Sequence, residues 1–208
     1  MLAAATHVFM THGFSAATTD MIQAQAKVSK ATVYARYANK EALFLAVIEH
    51  QCQLFDAQLQ ALQPVEGDLE VSLAELGRAY LDLVLSPQAI ALFRVVVAEA
   101  PRFPHIGKTF YAKGPRVIHS QIRRTLERAA DHQELDLSKI GVDMATGHFL
   151  GMLRHEAQME SLTHPEAVAS EMQRDTWARA AVSTLLRAYG ARVKKPPRDT
   201  TTRNGNRT

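Results

Sequence analysis

A chain of 208 residues that is 47% hydrophobic can bury a sizeable core, as one compact domain or as a small and a medium one. No apolar run reaches the about 18 residues that a membrane span needs, and the apolar start "MLAAATHVFMTHGF" carries two histidines and no basic lead, so neither a span nor a signal peptide is expected. The net charge of +3 is uneven: from Arg192 on, six cations stand against Asp199, so the tail carries +5 and residues 1–191 carry −2. Any nucleic-acid affinity must therefore come from local placement of charge.

In chain order nearly every segment reads as helix, strand-like alternation is absent, and Gly and Pro fall mostly at breaks. Helices are predicted over 2–12, stopping at Gly13, then over 19–26 and 30–37, both short. A long helix over 40–62 ends before Pro64 and Gly67 and is followed by one over 69–85. Ser86-Pro87 is a start signal, a capping hydroxyl and then proline at the first helical position, for a helix to about residue 100. "PRFPHIG" reads as a break. The last helices are expected over 108–132, disturbed at Gly114-Pro115, and over 136–161 and 165–189. From Gly190 the composition cannot bury a core, and residues 191–208 are expected to form a basic disordered tail.

The short helices carry the chemistry. "TTDMIQAQAKVSKATVYARY" has the layout of a helix-turn-helix. Ile22 and Ala26 can face inward together, Val28 plugs the turn, and Ser29 is a good N-cap for the next helix. Val33 and Tyr37, four apart, share that helix's buried face. The opposite face holds Ala31, Thr32 and Ala35, small enough for close approach to a groove floor, with methyls that can meet thymine methyls. Tyr34 and Arg36 flank it. Lys30 stands in the first turn, where the helix dipole gives a cation nothing. Thr18 and Thr19 open the preceding helix, whose N–H groups suit a phosphate, and Lys40 opens the following one.

Residues 2–48, through the ordered string "GF", "TT", "VSK", "TVY" and "NKEALF", resemble the N-terminal DNA-binding domain of the TetR/AcrR family of bacterial transcriptional regulators. The resemblance implies an all-α fold: a three-helix helix-turn-helix domain over 1–46, and a helical effector-binding and dimerisation domain over 47–190. It implies base or groove contacts from Lys30, Ala31, Thr32, Tyr34 and Arg36, and phosphate contacts from Thr18, Ser29, Tyr34, Tyr37 and Lys40. Two residues depart from the family pattern: Gln23 stands where alanine is usual, and Lys27 where glycine is usual. A left-handed Lys27 would cost roughly 1–2 kcal/mol. Met1 falls where relatives usually carry a short, often basic arm.

The rest of the chain reads as the regulatory body. Small residues at Gly141, Ala145, Gly147, Gly151, Ala178, Ala180, Ala181 and Ala188 suit close helix packing, and the family habit implies a homodimer contact by the last two helices. "SPQAIALFRVVVAEAPRFPHIGKTFYAKGPRVIHSQI" resembles the AefR-like branch. Candidate residues for an apolar effector pocket are Phe93, Phe103, Phe110, His119, Met144, His148, Phe149 and Met152, with Arg154 or His148 as polar anchors, although the same residues at helical spacing also suit plain core. Cys52, the one cysteine, shares a seam with Ile48, Phe55 and Leu59 and reads as a buried thiol. His148 and His155 are seven apart, about 10.5 Å along a helix, too far for one metal, and neither a metal nor a cofactor is expected.

Nucleophile elbow, phosphate loop, dinucleotide fingerprint and zinc-protease helix are all missing from the sequence, so no enzyme is expected. The expected function is a cytoplasmic repressor that binds a palindromic DNA operator as a homodimer, without a membrane, and is released by a small hydrophobic effector. The alternatives are a constitutive DNA-binding protein and a helical adaptor with a vestigial DNA-binding head.

Overall fold

The computed structural model describes residues 1–61, 68–164 and 166–191, with His155 described by its backbone alone. The expected stop at Pro64 and Gly67, the start at Pro165, the basic tail from Arg192 and the ring of His155 lie outside the described residues. The described residues form helices α1 (Leu2–Ala16), α2 (Thr19–Ala26), α3 (Lys30–Tyr34), α4 (Lys40–Gln60), α5 (Leu69–Val84), α6 (Pro87–Glu99), α7 (Pro104–Lys113), α8 (Pro115–Asp131), α9 (Val142–Thr163) and α10 (Glu171–Tyr189). Among them the only extended pairing is one antiparallel bridge between Leu135 and Gly190. None of these helices is by itself long and apolar enough to cross a membrane.

Local chemistry sets most helix starts. Side chains of Thr18, Ser29, Asn39, Asp68, Ser86 and Ser170 each accept a backbone N–H of the first turn of the helix that follows. Proline stands at the first helical position of α6, α7 and α8, where its missing N–H costs nothing. Five starts or stops differ from the sequence expectation. The first helix passes Gly13, which takes φ +77° and kinks it, and runs on to Ala16. The third stops at Tyr34, three residues short of Tyr37. "PRFPHIG" is a helix start, because Pro104 opens α7. Residues 136–141 form a loop closed by the Asp136–Ser138 turn and by Gly141 at φ +76°, so α9 begins only at Val142. The final helix begins at Glu171, where Ser170 and Gln173 form a reciprocal capping box.

Packing produces two apolar cores. A head core joins α1–α4 to the inner face of α6 and to Ile106 of α7, with Phe9, Phe44, Ile22, Leu43 and Ile48 fully enclosed. The rings of Phe9, Phe14 and Phe44 lie with centroids 4.8–6.0 Å apart. A body core of Leu, Ile and Ala from α5, α8, α9 and α10 closes around Leu81, Ile122, Leu126, Phe149 and Leu185. Gly77 lets α5 approach both partners: a Cβ there would stand 3.1 Å from Leu153 Cδ2 and 3.5 Å from Ala178 Cβ. Polar clamps tie head to body. The backbone N–H and the hydroxyl of Ser15 donate to the two carboxylate oxygens of Glu99 at 2.9 and 2.8 Å. His105 Nε2 lies 2.9 Å from Glu41, and Lys113 Nζ lies 3.6 Å from Glu49.

Candidate functional site

The turn between α2 and α3 begins at Lys27, in the left-handed region at φ 53°, ψ 42°. Its N–H donates to the Ala24 carbonyl, and that of Val28 to the Gln23 carbonyl, the paired bonds of a Schellman closure. Val28 then packs on the head core and Ser29 starts α3. Val33 is buried at 1% exposure and Tyr37 is partly buried against the same core, which pins the inner side of the five-residue helix. Lys30, Ala31, Thr32, Tyr34, Ala35 and Arg36 are all exposed.

Few of these groups hang free. Ser29 Oγ accepts the Thr32 N–H at 3.1 Å and pairs with Thr32 Oγ1 at 2.8 Å. Thr18 Oγ1 accepts the Met21 N–H, and Thr19 Oγ1 lies 3.3 Å from Tyr34 Oη, linking the two short helices. Lys30 Nζ meets Asp20 Oδ1 at 3.4 Å, an exposed pair of small energetic weight that a stronger anion can displace. Lys40 is different. Its Nζ donates to the carbonyls of Phe14, Ser15 and Ala17 at 2.9, 3.2 and 3.0 Å and stands 4.7 Å over the Phe14 ring, so all three of its donors hold the end of α1 against α4.

A second feature lies in the body. A cavity of about 180 Å³ is bounded by Cys52, Phe55 and Asp56 of α4, Tyr80 and Leu83 of α5, Phe93 of α6, Phe110 of α7, His119 of α8, and Leu150, Arg154 and Gln158 of α9. The Phe93 and Phe110 rings lie 5.8 Å apart on its wall. Burial pushes the Cys52 thiol up to about 11, helped by the nearby Glu49 charge. Burial likewise raises the Tyr80 hydroxyl to about 12, against the lowering influence of Arg154.

Of the residues suggested for a pocket, Phe93, Phe110, His119 and Arg154 meet here. The others sit elsewhere. Phe103 belongs to the head core, edge-on to Phe14 at 5.1 Å, because α7 starts at Pro104 and turns it toward α1. Phe149 is fully enclosed in the body core. Met144 is exposed on α9, and exposed His148 bonds Tyr189 Oη through Nδ1 at 2.8 Å. Met152 lines a separate groove between α9 and α10 with Trp177. The small residues also divide: Ala145, Ala178 and Ala181 face inward, whereas Gly147, Gly151, Ala180 and Ala188 face outward. Tyr80 is not among the residues the sequence suggested, although it is the one aromatic residue of α5. Among the described residues no group of three or more His, Cys, Asp or Glu side chains could hold a metal ion.

A capped pair of short helices on a closed core, presenting a small-residue face, defines a helix-turn-helix DNA-binding protein with a helical body. The profile of bacterial regulatory proteins of the tetR family matches residues 1–47, and that of the C-terminal domain of AefR-like transcriptional repressors matches residues 71–191. An uncharacterized HTH-type transcriptional regulator of Mycobacterium tuberculosis is 29% identical over 145 residues, 69% of this chain and 68% of its own. A solved structure from Mesorhizobium loti, described as a TetR-family transcriptional regulator, superposes with a TM-score of 0.80 at 23% identity, covering 91% of this chain and 94% of that one. The flavonoid-responsive regulator FrrA superposes with a TM-score of 0.76 at 28% identity, covering 92% and 95%. The chain belongs to the TetR family of transcriptional regulators.

Proposed function

We propose that this regulator is a cytoplasmic repressor, a homodimer that binds a palindromic operator and lets go when a small apolar effector fills the body cavity. The observation that carries this proposal is the exposed outer face of α3, with Ala31, Thr32 and Ala35 bare above a fully buried Val33. Side chains this small let the backbone enter a major groove, where Lys30, Thr32, Tyr34 and Arg36 reach base edges. Thr18, Thr19, Ser29, Tyr34 and Tyr37 border this face and suit phosphates, and Lys40 joins them only by releasing one of the three carbonyls it holds. In this scheme residues 1–46 read DNA and residues 47–190 bind effector and dimerise.

A five-residue helix gives little specificity alone, whereas two copies about 34–36 Å apart read both halves of a palindrome. The outward face of α9 and α10 presents Gly147, Gly151, Ala180 and Ala188 beside exposed Met144, small side chains that let a second copy come close. The cavity borders α4 at Cys52 and Phe55, and the same helix packs Phe44 and Val47 into the head core. An effector there moves α4, and with it the recognition helices, by as much as its affinity differs between the two arrangements. The flavonoid response of FrrA supports control by such an effector.

The test is a footprint on the DNA flanking the protein's own gene. A protected palindrome that is lost on adding a small molecule is the expected result, and protection that no small molecule alters would favour a constitutive binder. Lys30→Ala should flatten the salt dependence of binding by roughly one logarithmic slope unit, whereas Tyr34→Ala, which removes no charge, should lower affinity at an unchanged slope. An adaptor would show no such dependence to lose.

A further inference from the structure

The cavity is apolar in its walls but not in its charges. Four lining side chains carry or take up charge, and they are not equivalent. Asp56 accepts from Gln60 Nε2 at 2.8 Å and from Gln121 Nε2, so amides occupy its carboxylate. Lys113 is paired with Glu49 at 3.6 Å. Arg154 has no hydrogen bond or ion-pair partner among the described residues, and neither has His119. The guanidinium cannot shed its charge. A partly buried cation that pairs with no carboxylate, Asp56 on the same lining being held by amides, leaves its donors to water or to a ligand.

Its neighbour sharpens the chemistry. Tyr80 is only 3% exposed and its hydroxyl has no protein hydrogen bond among the described residues. The positive charge of Arg154 acts on it directly, yet burial keeps it protonated, so it offers an O–H donor. Two unpaired donors, the Arg154 guanidinium and the Tyr80 hydroxyl, therefore line the void together with the Gln158 amide, which can also turn its N–H groups inward, and this set favours a group made of acceptors. Phe93 and Phe110 line the same void with their rings 5.8 Å apart. Size limits the rest: about 180 Å³ compares with the roughly 150 Å³ of an engineered apolar cavity that takes up benzene.

Taking the cavity as the effector site, we propose that it receives a compact aromatic carboxylate of one or two rings, whose carboxylate meets Arg154 and the Tyr80 hydroxyl while its ring lies against Phe93 and Phe110. A longer or multi-ring molecule needs the cavity to widen first.

The experiment measures binding of naphthoate and naphthamide, equal in shape and different in charge, to the full chain by calorimetry, with retention of operator DNA followed in parallel. Naphthoate should bind about tenfold or more tightly than naphthamide, the ratio a charge-assisted pair supports. In Arg154→Met that ratio should fall to near one while naphthamide affinity holds, which shows the cavity intact. In Tyr80→Phe the ratio should fall by less. An unchanged ratio in Arg154→Met, or naphthamide equal to naphthoate in the native chain, overturns the proposal. Octanoate binding as well as naphthoate overturns its aromatic half. If naphthamide binds and frees DNA while naphthoate does neither, this inference fails and the effector site stands. If none of the three binds, this inference fails, and the effector site is judged by the footprint alone.

Discussion

The head and the body solve different problems with the same element. In the head, Phe9, Phe14 and Phe44 pack as tilted rings into a closed core, Lys40 ties the carbonyls of Phe14, Ser15 and Ala17 at the end of α1, and hydroxyl or amide side chains cap α2, α3 and α4. Everything there fixes the direction of one five-residue helix that could not hold its shape alone. The body is larger, built from longer aliphatic helices, and it carries a void of about 180 Å³ at the junction of α4 with α5–α9. A small unit keeps its geometry only when nearly every group is engaged, whereas a larger one stays folded around a hole.

The largest effect should come from the head's aromatic core. Phe44→Ala is expected to destabilise by about 3–5 kcal/mol, since the ring is fully enclosed and the helices around it cannot all collapse inward. Chemical denaturation with a near-ultraviolet probe checks it. If the loss stays below about 1 kcal/mol, the head is not the tightly engaged unit described.

High pH probes the seam between the regions. Cys52 has its thiol raised to about 11 and Tyr80 its hydroxyl to about 12. Both groups are neutral when protonated, so the folded state holds a proton that the unfolded chain gives up first. Stability is therefore full below pH 9 and falls as pH rises from about 9 to 11 for Cys52, and from about 10 to 12 for Tyr80. Each step is worth roughly 2–3 kcal/mol. Urea midpoints of Cys52→Ala and Tyr80→Phe against the native chain should each show one step removed; curves that stay parallel would refute the assignment.

Lys40→Met should cost about 1.5–3 kcal/mol, because it strands three carbonyls that a charged donor had satisfied. It also separates two roles. If Lys40 only braces the head, the salt slope of DNA binding stays constant while affinity falls; if it also meets a phosphate, the slope drops by about one.

Punctuation made most of the fold legible in the sequence. Ser29, Ser86-Pro87 and Gly114-Pro115 mark boundaries because caps and prolines act through their own backbone. Two equally local signals went unread: Pro104 at the start of α7, and the Ser170–Gln173 box that opens α10. The exposed face of α3 was legible because exposure on a short helix follows from which residues are small. The cavity was not. Phe93 and Phe149 have the same chemistry at the same kind of position, yet one borders the void and the other fills the core. Periodicity says that a side chain turns inward, and only the meeting of six helices decides what it finds there.

The smallest effect compares the two regions directly, because each closes a helix on a left-handed residue that is not glycine: Lys27 at φ 53° in the head and Gln133 at φ 61° in the body. Both make the same paired bonds, Gln133 to Ala130 and Glu134 to Ala129 repeating those of Lys27 and Val28. Glycine relieves a strain of roughly 1–2 kcal/mol at either site and returns about 0.5–1 kcal/mol through the looser unfolded chain. Lys27→Gly and Gln133→Gly should therefore each stabilise by about 0.5–1 kcal/mol in thermal unfolding. Their effects on DNA binding should differ. Lys27 is exposed in the turn that aims α3, so its removal takes away a cation beside the duplex and lowers affinity at low salt, while Gln133→Gly leaves binding unchanged. Equal binding by both variants would mean that the turn residue takes no part in the DNA contact; a destabilised Lys27→Gly would mean that its side chain, not its backbone, holds the turn.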